Sequence, residues 1–441
     1  MNNHSRKIQG VLILADQSSE WKVAGLRQLD RLALALNEYV NATDISAALP
    51  VCVAWIWERR RLPQDQRLTR LLLTEDVEYF SSEMAKGDGA VLVMNTRVVV
   101  DRGGFIQIIE HLTSGKQAPA LLIPGNEIVL AARTYSSLTA RVETARPNLS
   151  SPPEKLAVRK WYYLYAEKEI GVSEKQLLQN TGKSQDGLIS RFVNRPISRR
   201  LTRFLVRFPL LPNQWTLMLT VIPLAGSILL LRGDYFGFAL GAILFELQSV
   251  LDGCDGEIAR LKYLESSAGQ KLDGICDRFA TLLYAVSLGI GLSYQPGIAS
   301  WLRWFYPAEG LIAALLIGVG ETLLSRTTID KGLKKVTEDS LYPRYLKDNR
   351  GSFNTGDQLK LWMIKNSGML RLGEGLTSFF GQATKRDVFN FGFMLLALCG
   401  LPHLILHILA ICAGAIAVLA FRNLLTPALD ASRAGRPPTT T

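Results

Sequence analysis

At 441 residues, with 48% of them apolar and a net charge of +11, the chain is long enough for two or three domains. Its five cysteines (Cys52, Cys254, Cys276, Cys399 and Cys412) form no CxxC pair and histidines number only four, which argues against a disulfide framework and a zinc site. The positive charge admits nucleic acid or the anionic face of a membrane as partner, and the location of the basic residues decides between them.

The N-terminus, MNNHSRKIQG, has neither a long apolar core nor a small-residue cleavage site, so no signal peptide is expected. Gly10–Ala15, Val51–Ile56 and Ala90–Met94 are short apolar runs that read as buried strands. Gln28–Tyr39 and Phe105–Leu112 have helical periodicity. Strands alternating with helices predict a mostly parallel α/β domain over residues 1–145. Arg146–Lys155, rich in Pro, Ser and Asn, opens a linker and connecting segment over 146–185.

Residues 186–208 place arginines at 191, 195, 199, 200, 203 and 207, with Leu188, Phe192, Ile197, Leu201 and Phe204 among the apolar residues opposite. This is the pattern of a basic amphipathic helix lying in a membrane interface, with a break expected at Pro196. A solvated charged helix is the plainer alternative, but an apolar span follows at once. Six spans are expected in residues 209–425, at roughly 212–231, 235–252, 272–293, 308–326, 384–400 and 403–421. The last two share one apolar run, divided only by Gly400–Leu401–Pro402. The loop with Arg260, Lys262 and Lys271 is basic, and about a dozen Lys and Arg lie between Arg326 and Arg386. The opposite connections hold only Arg232 and Arg303. This asymmetry puts both termini in the cytoplasm and places the basic residues beside the membrane, against a nucleic-acid role. Residues 426–441 form a polar tail.

Asp252 and Asp255 are spaced i, i+3, and Asp273 and Asp277 i, i+4, so on helices each pair shares one face. A short connection lets the two helices lie antiparallel and brings four carboxylates together at the membrane boundary. Four such charges require cations, and oxygen-only ligands favour Mg²⁺ or Mn²⁺. Two ions could grip a diphosphate. Chance spacing of solvated helix-end aspartates is the alternative.

The segment Asp252-Gly-Cys-Asp255-Gly256-Glu-Ile-Ala259-Arg260, followed after eight residues by Gly269-Gln-Lys-Leu-Asp273-Gly-Ile-Cys-Asp277, resembles the CDP-alcohol phosphotransferase signature, D-x2-D-G-x2-A-R-x8-G-x3-D-x3-D, at every fixed position. The resemblance covers roughly residues 186–425. It implies transfer of a phosphoalcohol group from a CDP-linked donor, such as CDP-diacylglycerol, to an acceptor hydroxyl with release of CMP. It also implies that Asp252, Asp255 and Asp273 hold one metal, that Asp252, Asp273 and Asp277 hold a second, and that Asp277 is the general base. Donor contacts would come from Asn213, Thr216, Gly256, Arg260 and Ser266, with Ala259 and Gly269 leaving room for the ligand.

The N-terminal domain resembles a degenerate cytidylyltransferase. Its loop Asp16–Trp21 has no glycine, Lys22 and Gly25 follow it, and Asn95 stands where a metal carboxylate would be expected, with Asp101 as a weak substitute. The whole arrangement resembles fused enzymes joining an inositol-phosphate cytidylyltransferase to a dialkyl-inositol-phosphate-type synthase. That makes inositol phosphate the leading acceptor, with glycerol phosphate or another polar alcohol as alternatives. Lys385 and Arg386 are candidates for an acceptor phosphate, and Glu246 and Glu321 are carboxylates within spans. Membrane lipids and a homodimer are the further expected partners. A non-catalytic membrane scaffold is the competing reading of another class.

Overall fold

The computed structural model describes residues 8–43, 47–86, 90–105, 129–131, 161–182, 189–329 and 386–433. Most of the helix expected at Phe105–Leu112, the linker from Arg146, Lys385 and residues 434–441 lie outside them. The chain divides into two compact units. The first comprises Met1–Thr181, Arg203–Pro209 and Glu257–Leu264, and the second Gly182–Thr202, Leu210–Gly256 and Glu265–Thr441.

In the first unit the apolar runs form the expected strands: β1 (Ile8–Ala15), β4 (Leu49–Trp55), β5 (Leu71–Thr74) and β6 (Ala90–Asn95). They pair in parallel, and β8 (Val129–Ala131) adds antiparallel to β6, giving the order β5-β4-β1-β6-β8. Both faces are covered, which is why these strands are apolar runs and not alternating ones. Val11, Ile13, Val51 and Val53 point into one core with Leu29, Leu32 and Leu36 of helix α1 (Gln28–Ala42). Leu12, Leu14, Cys52 and Ala54 point to the other face, against Phe80 and Met84 of helix α2 (Val77–Ala85). Asp76 caps α2 by accepting from the Tyr79 N–H at 2.9 Å.

Between β1 and α1 lies a small hairpin, β2 (Lys22–Val23) and β3 (Leu26–Arg27). Its two turn residues, Ala24 and Gly25, have φ of 46° and 76°, the left-handed pair a two-residue hairpin needs. Strands β7 (Val98–Val100) and β9 (Trp161–Tyr163) pair antiparallel, and helix α3 (Ile170–Gln179) follows.

The amphipathic segment begins as a π-helical turn at Ser190–Asn194, closed by the Arg195 N–H on Ser190 O, and continues as helix α4 (Arg195–Leu205). The irregularity falls just before Pro196, whose missing N–H would have bonded to the preceding turn. Then come α5 (Pro212–Leu219), α6 (Val221–Leu230), α7 (Tyr235–Leu261), α8 (Ser267–Ser293), α9 (Leu302–Ile329), α10 (Arg386–Leu398) and α11 (Pro402–Arg433). Among the described residues four stretches are long and apolar enough to cross a membrane: Pro212–Leu230, Tyr235–Leu261, Ser267–Ser293 and Leu302–Gly320. Where a fifth and sixth span are expected the described apolar helices are shorter, Asp387–Leu398 and Pro402–Ala415.

Small residues bring these helices together, as expected where apolar lipid removes the hydrophobic drive to associate. A Cβ on Gly289 would lie 2.6 Å from Tyr306 O and 3.2 Å from the Gly310 Cα. One on Gly291 would lie 2.0 Å from Leu230 O. Thus α8 touches both α9 and α6 backbone to backbone. Tyr284, Leu288, Ala313, Ile405 and Leu406 fill the adjoining core.

Candidate active site

Hydropathy ends near Asp252, but α7 continues nine residues further, to Leu261. Likewise α8 starts six residues before Asp273, at Ser267, where Ser266 caps it by accepting from the Gly269 N–H at 3.0 Å. The aspartates therefore sit on continuous helix, where their spacing has its full directional meaning. Carboxylate oxygens of Asp252, Asp255 and Asp273 come within 4.8 Å of one another. Asp255 is buried, and Thr216 Oγ1 and the Gly256 N–H both donate to it. Asp277, one turn beyond Asp273 on α8, stands outside that group but close enough to bear electrostatically on Asp255.

This donor set fits a hard divalent cation. It offers oxygen only, carries up to three negative charges, and leaves Asp252 and Asp273 partly open. At 4.8 Å and an effective dielectric of about 20, each pair of ionised carboxylates repels by about 3.5 kcal/mol, a repulsion that a bound cation or a proton would relieve.

Three of the expected donor contacts surround the same place. Helix α5 starts with Pro212 at its first position, suited to an N-terminus. A Cβ on Gly269 would lie 2.9 Å from Asn213 Oδ1 and 3.1 Å from Ser266 Oγ, so glycine here admits the Asn213 amide against the first turn of α8. Thr216 reaches Asp255, and the Trp215 indole donates to Leu251 O at 3.1 Å. Ala259 and Arg260 fall instead in the first unit. There Arg260 lines a pocket of about 90 Å³ with Arg31, Asp101, Asn180 and Tyr263.

Several polar contacts of the helical unit escaped the sequence reading. Gly253 faces α4: its missing Cβ would lie 3.1 Å from Arg195 Nη1 and 3.2 Å from Ser198 Oγ, and Arg195 donates to Gly253 O at 3.4 Å. In the signature the glycine is one of the two variable positions between Asp252 and Asp255. Glu309 also passed unnoticed within a span. It pairs with His407 of α11 at 2.7 Å. Glu246 is buried on α7 beside Asn194 and near Asp387, which accepts from the Ser190 N–H. The side chains of Glu321 and Arg386 lie outside the described residues.

Deeper in the bundle, a cavity of about 330 Å³ is lined by Phe245, Phe393 and Leu409, with Gln248, Thr281 and Tyr284 as polar members. Gln248 Oε1 and Tyr284 Oη are buried and make no hydrogen bond among the described residues. Thr281 is one helical turn past Asp277 and donates to its backbone carbonyl at 3.0 Å.

In the α/β unit, strand order reverses between β1 and β6, and their carboxyl ends flank the crevice where open α/β sheets bind ligands. Here that position is filled. Asp16 is buried, ion-paired with Arg97 at 2.6 Å, and accepts from the Ser18 N–H at 2.9 Å, from Ser18 Oγ and from Thr96 Oγ1. The loop after β1 becomes a 3-10 helix, Gln17–Glu20, capped by Asp16. Gly25 serves packing, since its Cβ would lie 2.2 Å from Val206 O. Asp101 is buried, accepting from Asn180.

Comparison with known proteins agrees with the helical site. Residues 209–337 match the sequence profile of the CDP-alcohol phosphatidyltransferase family. The chain is similar to the "bifunctional IPC transferase and DIPP synthase" of Rubrobacter xylanophilus, 36% identical over 162 residues, 37% of this chain and 35% of that protein. It is similar to proteins of the same name from Archaeoglobus fulgidus (32% over 131 residues; 30% of this chain, 26% of that one) and Aquifex aeolicus (31% over 144; 32% and 32%). The matched stretch thus spans about a third or less of each of these relatives. With all eight signature residues present and three of its four aspartates converging, the chain carries, over residues 209–337, a domain of the CDP-alcohol phosphatidyltransferase family.

Proposed function

We propose that this chain transfers a phosphoalcohol group from a CDP-linked donor to the hydroxyl of a polar acceptor, releasing CMP, with an inositol phosphate as the acceptor. The observation that carries this is the convergence of Asp252, Asp255 and Asp273 oxygens within 4.8 Å on two helices bearing the full signature. Asp252, Asp255 and Asp273 would hold one divalent cation, and Asp252, Asp273 and Asp277 a second. Cations bound there would neutralise the diphosphate and make CMP a better leaving group. Asp277 accepts the acceptor's hydroxyl proton as that oxygen attacks the donor phosphorus; the bond from phosphorus to the CMP oxygen breaks, and its electron pair leaves with CMP. Thr216 and Gly256 orient Asp255, and Asn213 and Ser266 face the donor. Arg260 is a donor contact by its place in the signature alone.

The acceptor assignment draws on the relatives' names. A six-span bundle with both termini and the site on the cytoplasmic side is supported by the Lys/Arg asymmetry. The α/β unit does not make the donor: Asp16, Thr96 and Arg97 occupy the crevice that a nucleotide would need.

The test is purified chain in lipid nanodiscs, given CDP-diacylglycerol, Mg²⁺ and inositol phosphate, glycerol phosphate or inositol in turn. CMP release and a product of the matching mass are expected, abolished by EDTA. No CMP with any acceptor would favour the scaffold. Adding CTP and polyol phosphates to the same protein should give no pyrophosphate.

A further inference from the structure

The connection between the aspartate-bearing helices is five residues long, from Lys262 to Ser266. Its first half belongs to the α/β unit. Helix α7 ends in a Schellman-type cap: the Leu264 N–H bonds Ala259 O at 2.8 Å, and the Lys262 N–H bonds Ile258 O at 2.9 Å. The left-handed position of such a cap ordinarily takes glycine. Here it is Tyr263, with φ of 55°, a conformation that a bulky residue keeps only where its surroundings over-determine it.

The surroundings do so residue by residue. Leu261 is 3% exposed and sits in a core cluster with Val23, Val99, Leu177 and Val206. The Lys262 ammonium donates to Phe208 O at 2.7 Å. The Tyr263 ring packs against the core of the sheet, with the Arg31 guanidinium 6.0 Å from its centroid. Arg31 is itself buried and anchored on Val23 O and Ala24 O at 2.8 and 3.3 Å. Arg67 Nη1 donates to both Lys262 O and Tyr263 O at 2.8 Å. Asp65 holds the rest of that guanidinium in a fork, at 2.8 and 2.6 Å, so the planar group is presented to the two carbonyls in a fixed orientation.

We infer that the α/β unit, its nucleotide crevice filled, serves as a positioning device that uses Arg67 and Tyr263 to fix the connection between α7 and α8, and with it the register of Asp252 and Asp255 against Asp273. This rests on reading those aspartates as a metal site. Stopping α7 requires only a glycine. The tyrosine adds an anchor, at the cost of an unfavourable backbone conformation, six residues beyond Asp255 in helix and two more in the cap. On the other side Ser266 starts α8 three residues later, and Asp273 follows within two helical turns. A slip in the connection would therefore be passed along rigid helix to the carboxylates. Arg67 and Tyr263 are positioning residues; neither is a ligand.

The experiment is Mn²⁺ titration of the full chain in detergent, with free Mn²⁺ read by electron paramagnetic resonance and folding checked by circular dichroism. Tyr263→Gly is the sharper variant. Glycine suits the left-handed cap, so helix termination alone predicts unchanged or better behaviour. Both Tyr263→Gly and Arg67→Ala are expected to bind Mn²⁺ about tenfold more weakly than wild type, the lower end for residues that act on ligands indirectly. If Arg67→Ala does not fold, Arg67→Lys, whose single ammonium cannot span both carbonyls and Asp65, carries the same expectation. Folded variants with Mn²⁺ affinity within about twofold of wild type would overturn the inference. A wild-type chain that binds no Mn²⁺ would overturn the metal reading itself and this inference with it. The two failures are distinct, because the wild-type curve reports on the site and the ratio of variant to wild type reports on the grip.

Discussion

Replacing Asp252 by asparagine should make the metal-free protein more stable while removing its response to metal. The three carboxylate oxygens lie within 4.8 Å, and at an effective dielectric of about 20 each pair repels by about 3.5 kcal/mol. Asp252 takes part in two of the three pairs, so its charge carries about 7 kcal/mol of repulsion before relief. Protonating an ordinary aspartate at pH 7 costs about 4 kcal/mol, which caps the net penalty in the absence of metal. Asparagine keeps the shape and removes the charge, so Asp252→Asn should stabilise the EDTA-treated protein by about 2–4 kcal/mol. In a helical region of this size that corresponds to a rise in melting temperature of about 5 °C or more. The assay is thermal unfolding in detergent, with EDTA and then with millimolar Mg²⁺. Wild type should gain strongly from Mg²⁺ and the variant much less, by mass action on a weakened site. A variant that melts below wild type in EDTA, yet gains as much from Mg²⁺, would show that the aspartates are packing or hydrogen-bonding elements and that the charge argument is wrong.

Asp277→Asn should lower the transfer rate by about two to four orders of magnitude, the usual weight of a general base, while Mn²⁺ still binds through the other three aspartates; near-normal turnover would refute the assignment. Cysteine labelling from outside sealed cells should reach an engineered site at Gln295 but not one at Lys334, and the reverse result would invert the proposed topology. Asp16→Ala strands the buried Arg97, whose side chain, like that of Asp16, is only 8% exposed, so chemical unfolding should show a loss of about 3–5 kcal/mol. A loss under about 1 kcal/mol would mean that water already reaches the pair.

Much of this architecture was legible in the chain, for physical reasons that differ between its halves. Val11–Leu14 and Val51–Ala54 are apolar on both faces because both faces of the sheet are covered, and a continuous run is how such strands read. The aspartate signature was legible because helical periodicity turns spacing directly into direction. The ends of α7 and α8 were not, since hydropathy reports where a helix leaves lipid and says nothing about where it stops. Only a cap can say that, and the one at Tyr263 lacks glycine. Its partner Arg67 stands 196 residues away, beyond any local pattern. The loop after β1 was read correctly as lacking glycine, but nothing local foretold that Arg97 would close over Asp16. The π turn at Ser190–Asn194 was half visible, as a break expected at Pro196 itself.

The contact between Gly289 and Gly310 gives α8 a pivot. Asp273 lies sixteen residues along the helix from Gly289, a lever arm of about 24 Å at the usual rise per residue. One degree of tilt about that pivot moves the aspartate by about 0.4 Å, and displacements of about 1 Å at reacting groups can cost a hundredfold in rate. A single methyl on Gly289 or Gly291 has no room and would have to tilt the rod. Residues at the far end of α8 thus bear on the placement of Asp273, and, on the function proposed above, damage there would register as lost turnover in a protein whose every aspartate is intact.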